Sequence, residues 1–212
     1  MVYDLLQPYP LVLLATAGFS AALAALVAGF RRRRASRWLV AILGAASIWS
    51  LADGLRIAAP TAAEVLFWNQ VTYVGAGLIV PATLFFVARF TNRSEWLRPR
   101  RAYPVGAISA VMVVLVFTNQ WHGLWRPDET VTPGTAPPVL VDELGIVHVA
   151  WAVYVLLLVI PLLYVMLARD LRASTGSRLH RQQIGLIMLG IGGPVITSTA
   201  YVLDLTAVDL TP

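Results

Sequence analysis

Six apolar segments of about 20 residues, separated by short arginine-rich blocks, leave this chain few ways to fold. They run roughly over Leu11–Phe30, Trp38–Ile57, Val65–Val87, Tyr103–Phe117, Ile146–Leu167 and Ile184–Leu203. A helix rises about 1.5 Å per residue, so about 20 residues cross the roughly 30 Å hydrocarbon core of a bilayer. Lipid offers open backbone no hydrogen-bond partner, so each segment must be helical. The sequence therefore predicts an all-α fold, a polytopic transmembrane helix bundle with six spans. Pro104 suits the first turn of the fourth span. Pro194 removes a backbone hydrogen bond from the sixth and predicts a kink there.

Charge sets the orientation. Only 13% of the 212 residues are charged, against about 25% in a soluble domain. All 16 basic residues are arginine, and only Arg56 and Arg126 fall outside the first, third and fifth connections. Positively charged loops stay in the cytoplasm, which puts the N-terminus outside a plasma membrane crossed several times. The +5 net charge thus belongs to membrane loops, and nucleic acid is not an expected partner. Arg31–Arg34 follow the first apolar run, the reverse of a cleavable signal peptide, so that run is read as a retained helix.

Several chemistries are absent. There is no cysteine, hence no disulfide or thiolate metal site, and no lysine for a retinal Schiff base. No Walker loop, nucleophile elbow or kinase signature occurs. The chain is expected to be no enzyme by itself and to carry no cofactor. His122 and His148 lie on the outer side, but no third ligand stands at metal-site spacing, so no metal is expected. His180 reads as part of a basic loop facing lipid headgroups.

The second and third spans carry the candidate site. Trp49, Asp53 and Arg56 are spaced by four and three residues, near one helix face. Ionisable groups within a span usually face the bundle interior or a watery cavity. An ion pair at the helix end, with Arg56 reaching the interface, accounts for them equally simply. Trp68, Asn69 and Tyr73 occupy the outer end of the third span, where ordinary helix packing is the simpler account. His148 opens the fifth span, and Asp204 at the outer end of the sixth could close a pocket with Asp53 and Arg56. Residues 118–145 form the one sizeable external loop; its tryptophans suit a cover lying at the interface.

Several stretches, in order, resemble the seven-helix N-terminal sensor region of membrane histidine kinases. They include Trp49-Ser50-Leu51-Ala52-Asp53, then Phe67 through Gly75, Pro81, Phe85-Phe86 and Phe90-Thr91. Thr118-Asn119-Gln120-Trp121-His122-Gly123-Leu124-Trp125 is similar to a Thr-Asn-x-x-His-x-Leu element of that family. His148, Tyr154, Arg181-Gln182-Gln183 and the closing Asp209-Leu210-Thr211-Pro212 complete the likeness, which covers nearly the whole chain. It implies one transmembrane sensor domain over residues 1–212, lacking the family's seventh helix, with a kinase module following in cis. It further implies a two-component signalling role and a homodimer. A small-molecule or membrane cue would bind among Trp49, Asp53, Arg56, Trp68, Asn69, Tyr73, His148 and Asp204. The competing expectation is a small-molecule transporter or a membrane scaffold. A transporter tends to show inverted repeats and polar groups at the midplane, and neither is visible in this sequence.

Overall fold

The structure is a computed structural model that describes residues 8–29, 36–127, 130–131, 140–141, 144–173 and 178–202. Its long helices are α1 (Pro8–Gly29), α2 (Ser36–Ile57), α3 (Ala62–Phe90), α4 (Pro99–Phe117), α5 (Ile146–Ala173) and α6 (Arg178–Val202). Among the described residues, α1 to α5 are long and apolar enough to cross a membrane. At 25 residues α6 is about 37 Å long. The protein is a multi-pass membrane protein of helices, as expected.

The helices outrun their apolar cores because polar residues cap them. α3 starts at Ala62, three residues before its apolar run. Thr61 is its N-cap, and the Thr61 hydroxyl accepts from the Glu64 N–H at 3.3 Å, at the spacing of a capping box. At the other end the Asn92 N–H donates to Arg89 O (3.2 Å) and the Arg93 N–H to Ala88 O (2.7 Å). With Asn92 at φ 55°, this is a Schellman stop. α4 begins at Pro99 with proline in its first turn, so Pro104 lies inside the helix and not at its start. The correction has a physical cause: arginines 100 and 101 extend the helix into the headgroup layer, where charge is no obstacle.

α5 is α-helical over Ile146–Val153, widens to a π-helix over Tyr154–Val159, and resumes as α-helix over Ile160–Ala173. Side chains from position 194 onward fall outside the described set, so the expected kink at Pro194 does too; the α6 backbone remains helical to Val202.

The chain divides into two compact units, residues 1–152 and 153–212. In the first, α2 packs along both α1 and α3, and α3 packs on α4. Apolar side chains gain little by leaving lipid for one another, so close backbone approach must hold these helices together. Glycines provide it. A Cβ on Gly75 would lie 2.7 Å from Ala45 O and 2.8 Å from the Trp49 backbone N. One on Gly77 would lie 2.9 Å from Val113 Cγ2 in α4, and one on Gly54 would touch Leu13 and Leu14 of α1 at 3.3 Å. In the second unit Val159, Leu163, Met166, Leu167 and Ile184 are buried, and the Tyr164 hydroxyl donates to Met188 O at 2.7 Å. His180 lies within α6, not in a free loop, and its Nε2 is 2.8 Å from Asp170 Oδ2. The expected loop is thus a turn of helix, with a carboxylate on the preceding helix as a partner of the ring.

Candidate functional site

The external connection starts with structure of its own. After α4, residues Asn119–His122 form one helical turn, closed by Gly123 in the left-handed region at φ 62°. Farther on, Thr130–Val131 pairs antiparallel with Leu140–Val141. Asn119 is buried and organises the turn that follows. Its Oδ1 accepts from the Trp125 N–H (3.0 Å) and the Arg126 N–H (3.2 Å), and its Nδ2 donates to Arg126 O (2.8 Å). His122 Nδ1 accepts from the Leu124 N–H at 2.9 Å, so the neutral ring carries its proton on Nε2, 3.0 Å from the Thr118 hydroxyl. That hydroxyl donates in turn to Val114 O at 2.8 Å. His122 is therefore a structural residue.

This turn is stitched to the start of α5. The Gly145 N–H donates to Trp125 O (2.9 Å) and the Val147 N–H to Leu124 O (3.1 Å), satisfying amides that the first turn of a helix leaves open. The approach is so close that a Cβ on Gly145 would overlap Leu124 O and stand 2.5 Å from Trp125 O.

The stitch drives Trp125 into the protein. Its side chain is 1% exposed, whereas Trp121 is 78% exposed. Only one of the two tryptophans in this turn is therefore packed inside, and Trp121 alone remains free for an interfacial role. Trp125 packs with Met112 and Val116 of α4 and with Tyr73 of α3. The Tyr73 ring meets it edge-on at 4.9 Å, and the His148 ring stacks on it at 4.5 Å. Arg126 Nη2 donates to the Tyr73 hydroxyl at 2.6 Å, with its guanidinium carbon 5.7 Å from the ring centre. Beside this cluster lies a cleft of about 400 Å³, lined by Leu66, Phe67, Gln70, Asn119, Gln120 and Arg126 among others. It combines an apolar wall with amides and one cation, which suits a small amphiphilic or polar ligand.

Of the expected site residues, Tyr73 and His148 come together. Asn69 is buried one turn before Tyr73, and Trp68 is half-buried with Phe67 edge-on at 5.1 Å. Asp53 and Arg56 bond each other within α2, Nη2 to Oδ1 at 2.7 Å. Trp49 lies at the α2–α3 crossing against Gly75. Asp204 lies outside the described residues. Trp125, Arg126, Asn119 and Gln70 are not among the site residues expected from the sequence. The signal was present in the Asn119–Trp125 stretch, where an Asn and a turn glycine bracket the buried tryptophan's entry.

Asn119→Ala removes three hydrogen bonds and strands buried backbone groups. The expected loss is about 3 kcal/mol, read as a lowered thermal midpoint of the chain in detergent. Asn119→Asp keeps the acceptor and loses only the donor, so it is expected to fall less.

Compared with known families, residues 12–212 match the family described as the N-terminal 7TM region of histidine kinase. No curated protein matches the chain. What the match covers is a membrane region and not a catalytic domain.

Proposed function

The chain belongs to the family of N-terminal seven-transmembrane regions of histidine kinases, and on that premise we propose that it is the sensory input domain of a two-component histidine kinase. It lies in the plasma membrane with its N-terminus outside and works as a homodimer with a cytoplasmic kinase module in cis. The cue, a small molecule from outside or from the membrane, binds at the cleft where the Asn119–Pro127 turn meets the first turns of α3. The observation that carries this proposal is the Tyr73–Trp125–His148–Arg126 cluster, which ties a ligand-sized cleft to α3, α4 and the start of α5. Trp49, Asp53, Arg56, Trp68 and Asn69 stay in the proposal as further parts of the outer side of the first unit. Binding favours one of two bundle arrangements by its differential affinity for them.

The test uses the full-length kinase in membranes. Gln70→Leu and Phe67→Ala alter the cleft lining without touching the aromatic cluster. Both are expected to shift the cue concentration for half-maximal autophosphorylation upward by about tenfold, the effect of roughly 1.4 kcal/mol of lost binding. Unchanged responses in both would remove the cleft from the proposal, and an unchanged response in Asp53→Ala would remove the α2 residues.

A further inference from the structure

A second cluster sits at the opposite end of α3, at the corner leading into α4. The Schellman stop fixes Arg93 just past the last turn of α3, which carries Arg89. A 3₁₀ turn, Ser94–Leu97, follows, and the Trp96 N–H donates to Arg93 O at 3.1 Å. The Arg101 guanidinium carbon lies 5.0 Å from the centre of the Trp96 ring. Arg98 is the N-cap of α4 but supplies no capping side chain, and the first turn of α4 holds no acid. The positive end of a 19-residue helix therefore opens into a group of five arginines. Glu95 is the one acid in this stretch. Among the described residues ion pairs join Asp53 to Arg56 and Asp170 to His180, and none involves these arginines.

The Nε atoms of Arg89 and Arg93 are both buried and make no hydrogen bond within the protein. Buried guanidinium N–H groups rarely go without an acceptor, because leaving them so is costly. The protein itself encloses these Nε atoms, but both arginines stay partly exposed, and the exposed part of a guanidinium binds an anionic oxygen strongly and often with two donors. Trp96 decides its source. A half-buried tryptophan flanked by arginine at the end of a transmembrane helix belongs at the depth of lipid headgroups. Basic pockets between transmembrane helices at that depth bind anionic head groups.

We propose that the α3–α4 corner, through Arg89, Arg93, Arg101 and the start of α4, binds the phosphodiester head group of an anionic phospholipid, with Trp96 packed at the glycerol level. The site is separate from the outer cleft and does not depend on it.

The experiment titrates the purified, delipidated 212-residue chain in neutral detergent with phosphatidylglycerol and, separately, phosphatidylcholine, counting bound lipid by native mass spectrometry. Phosphatidylglycerol is expected to bind in preference. Arg93→Gln with Arg101→Gln is expected to weaken it about thirtyfold, since each basic charge at an anionic surface contributes about fivefold. Arg169→Gln with Arg172→Gln, near the C-terminal end of α5, is expected to leave it unchanged. Arg93→Lys with Arg101→Lys keeps the charge and controls for folding; it is expected to retain most of the binding. Equal loss in both glutamine pairs would reduce the site to general charge attraction and overturn the proposal. Displacement of the lipid by millimolar inorganic phosphate would assign the corner to a soluble anion and overturn the lipid as its occupant. Equal binding of phosphatidylcholine would overturn the role of the arginines.

Discussion

Gly75→Val is expected to unseat α3 from α2 and to give the largest loss of stability of any single substitution in the membrane-spanning part. The first added carbon alone would stand 2.7 Å from a backbone oxygen and 2.8 Å from a backbone nitrogen of α2. Backbone cannot rotate aside as a flexible side chain can, so the two helices must separate along their contact. Overpacking a close-packed site costs about 1–3 kcal/mol, and valine's two further methyls place this case at or above the top of that range. Where helix association in lipid rests on close packing, little is available to offset the loss. Thermal unfolding of the chain in detergent, followed by circular dichroism, measures it. Gly44→Val in α2 is the comparison, since a Cβ there meets nothing within 4 Å. It is expected to change the midpoint little.

Trp125→Ala is expected to be the most damaging change outside the spans. Removing a buried tryptophan costs about 3–5 kcal/mol through lost burial and the cavity left behind. Here it also strips the His148 ring of its stacking partner and the Tyr73 ring of its edge contact. Trp125→Phe preserves much of the aromatic packing and is expected to recover more than half of the loss. Trp121→Ala, four residues earlier and largely exposed, is expected to be within about 0.5 kcal/mol of the parent. A similar loss for both tryptophans would mean that the outer turn is not seated as described.

The number and order of the long helices were legible because lipid imposes one rule on all of them: about 20 apolar residues, each helical. Their ends were less so. The α3 cap at Thr61 and Glu64 and the start of α4 at Pro99 lie in polar sequence that hydropathy counts as loop. The π turn in α5, Tyr154–Val159, lies in an unbroken apolar run, and its one sequence sign is Pro161 just beyond it, which lacks the N–H that would bond one turn back at Leu157. The site was half legible. Tyr73 and His148 stood out as polar or aromatic groups near the outer face, and they do meet. The place of Trp125 and Arg126 in the site was not legible, because it depends on the three hydrogen bonds of Asn119 and on backbone pairing to Gly145 and Val147. Those are long-range consequences of a turn, and residue spacing does not encode them. Asp53 and Arg56 drew attention by their charge within a span, yet they bond one another first.

The length of α3 has a mechanical consequence. Its 29 residues measure about 43 Å, against a hydrocarbon core of roughly 30 Å. Glu64 in its first turn and Arg89 in its last anchor both ends among polar groups. Mismatch is set by the apolar part, Val65–Val87, whose 23 residues measure about 34 Å, so it exceeds the core by only a few ångströms, which a modest lean takes up at small elastic cost. Because α2 is locked to this rod at Gly75 and α4 at Gly77, the lean is shared by three helices. A change in bilayer thickness would therefore act on these three helices together and not on α3 alone.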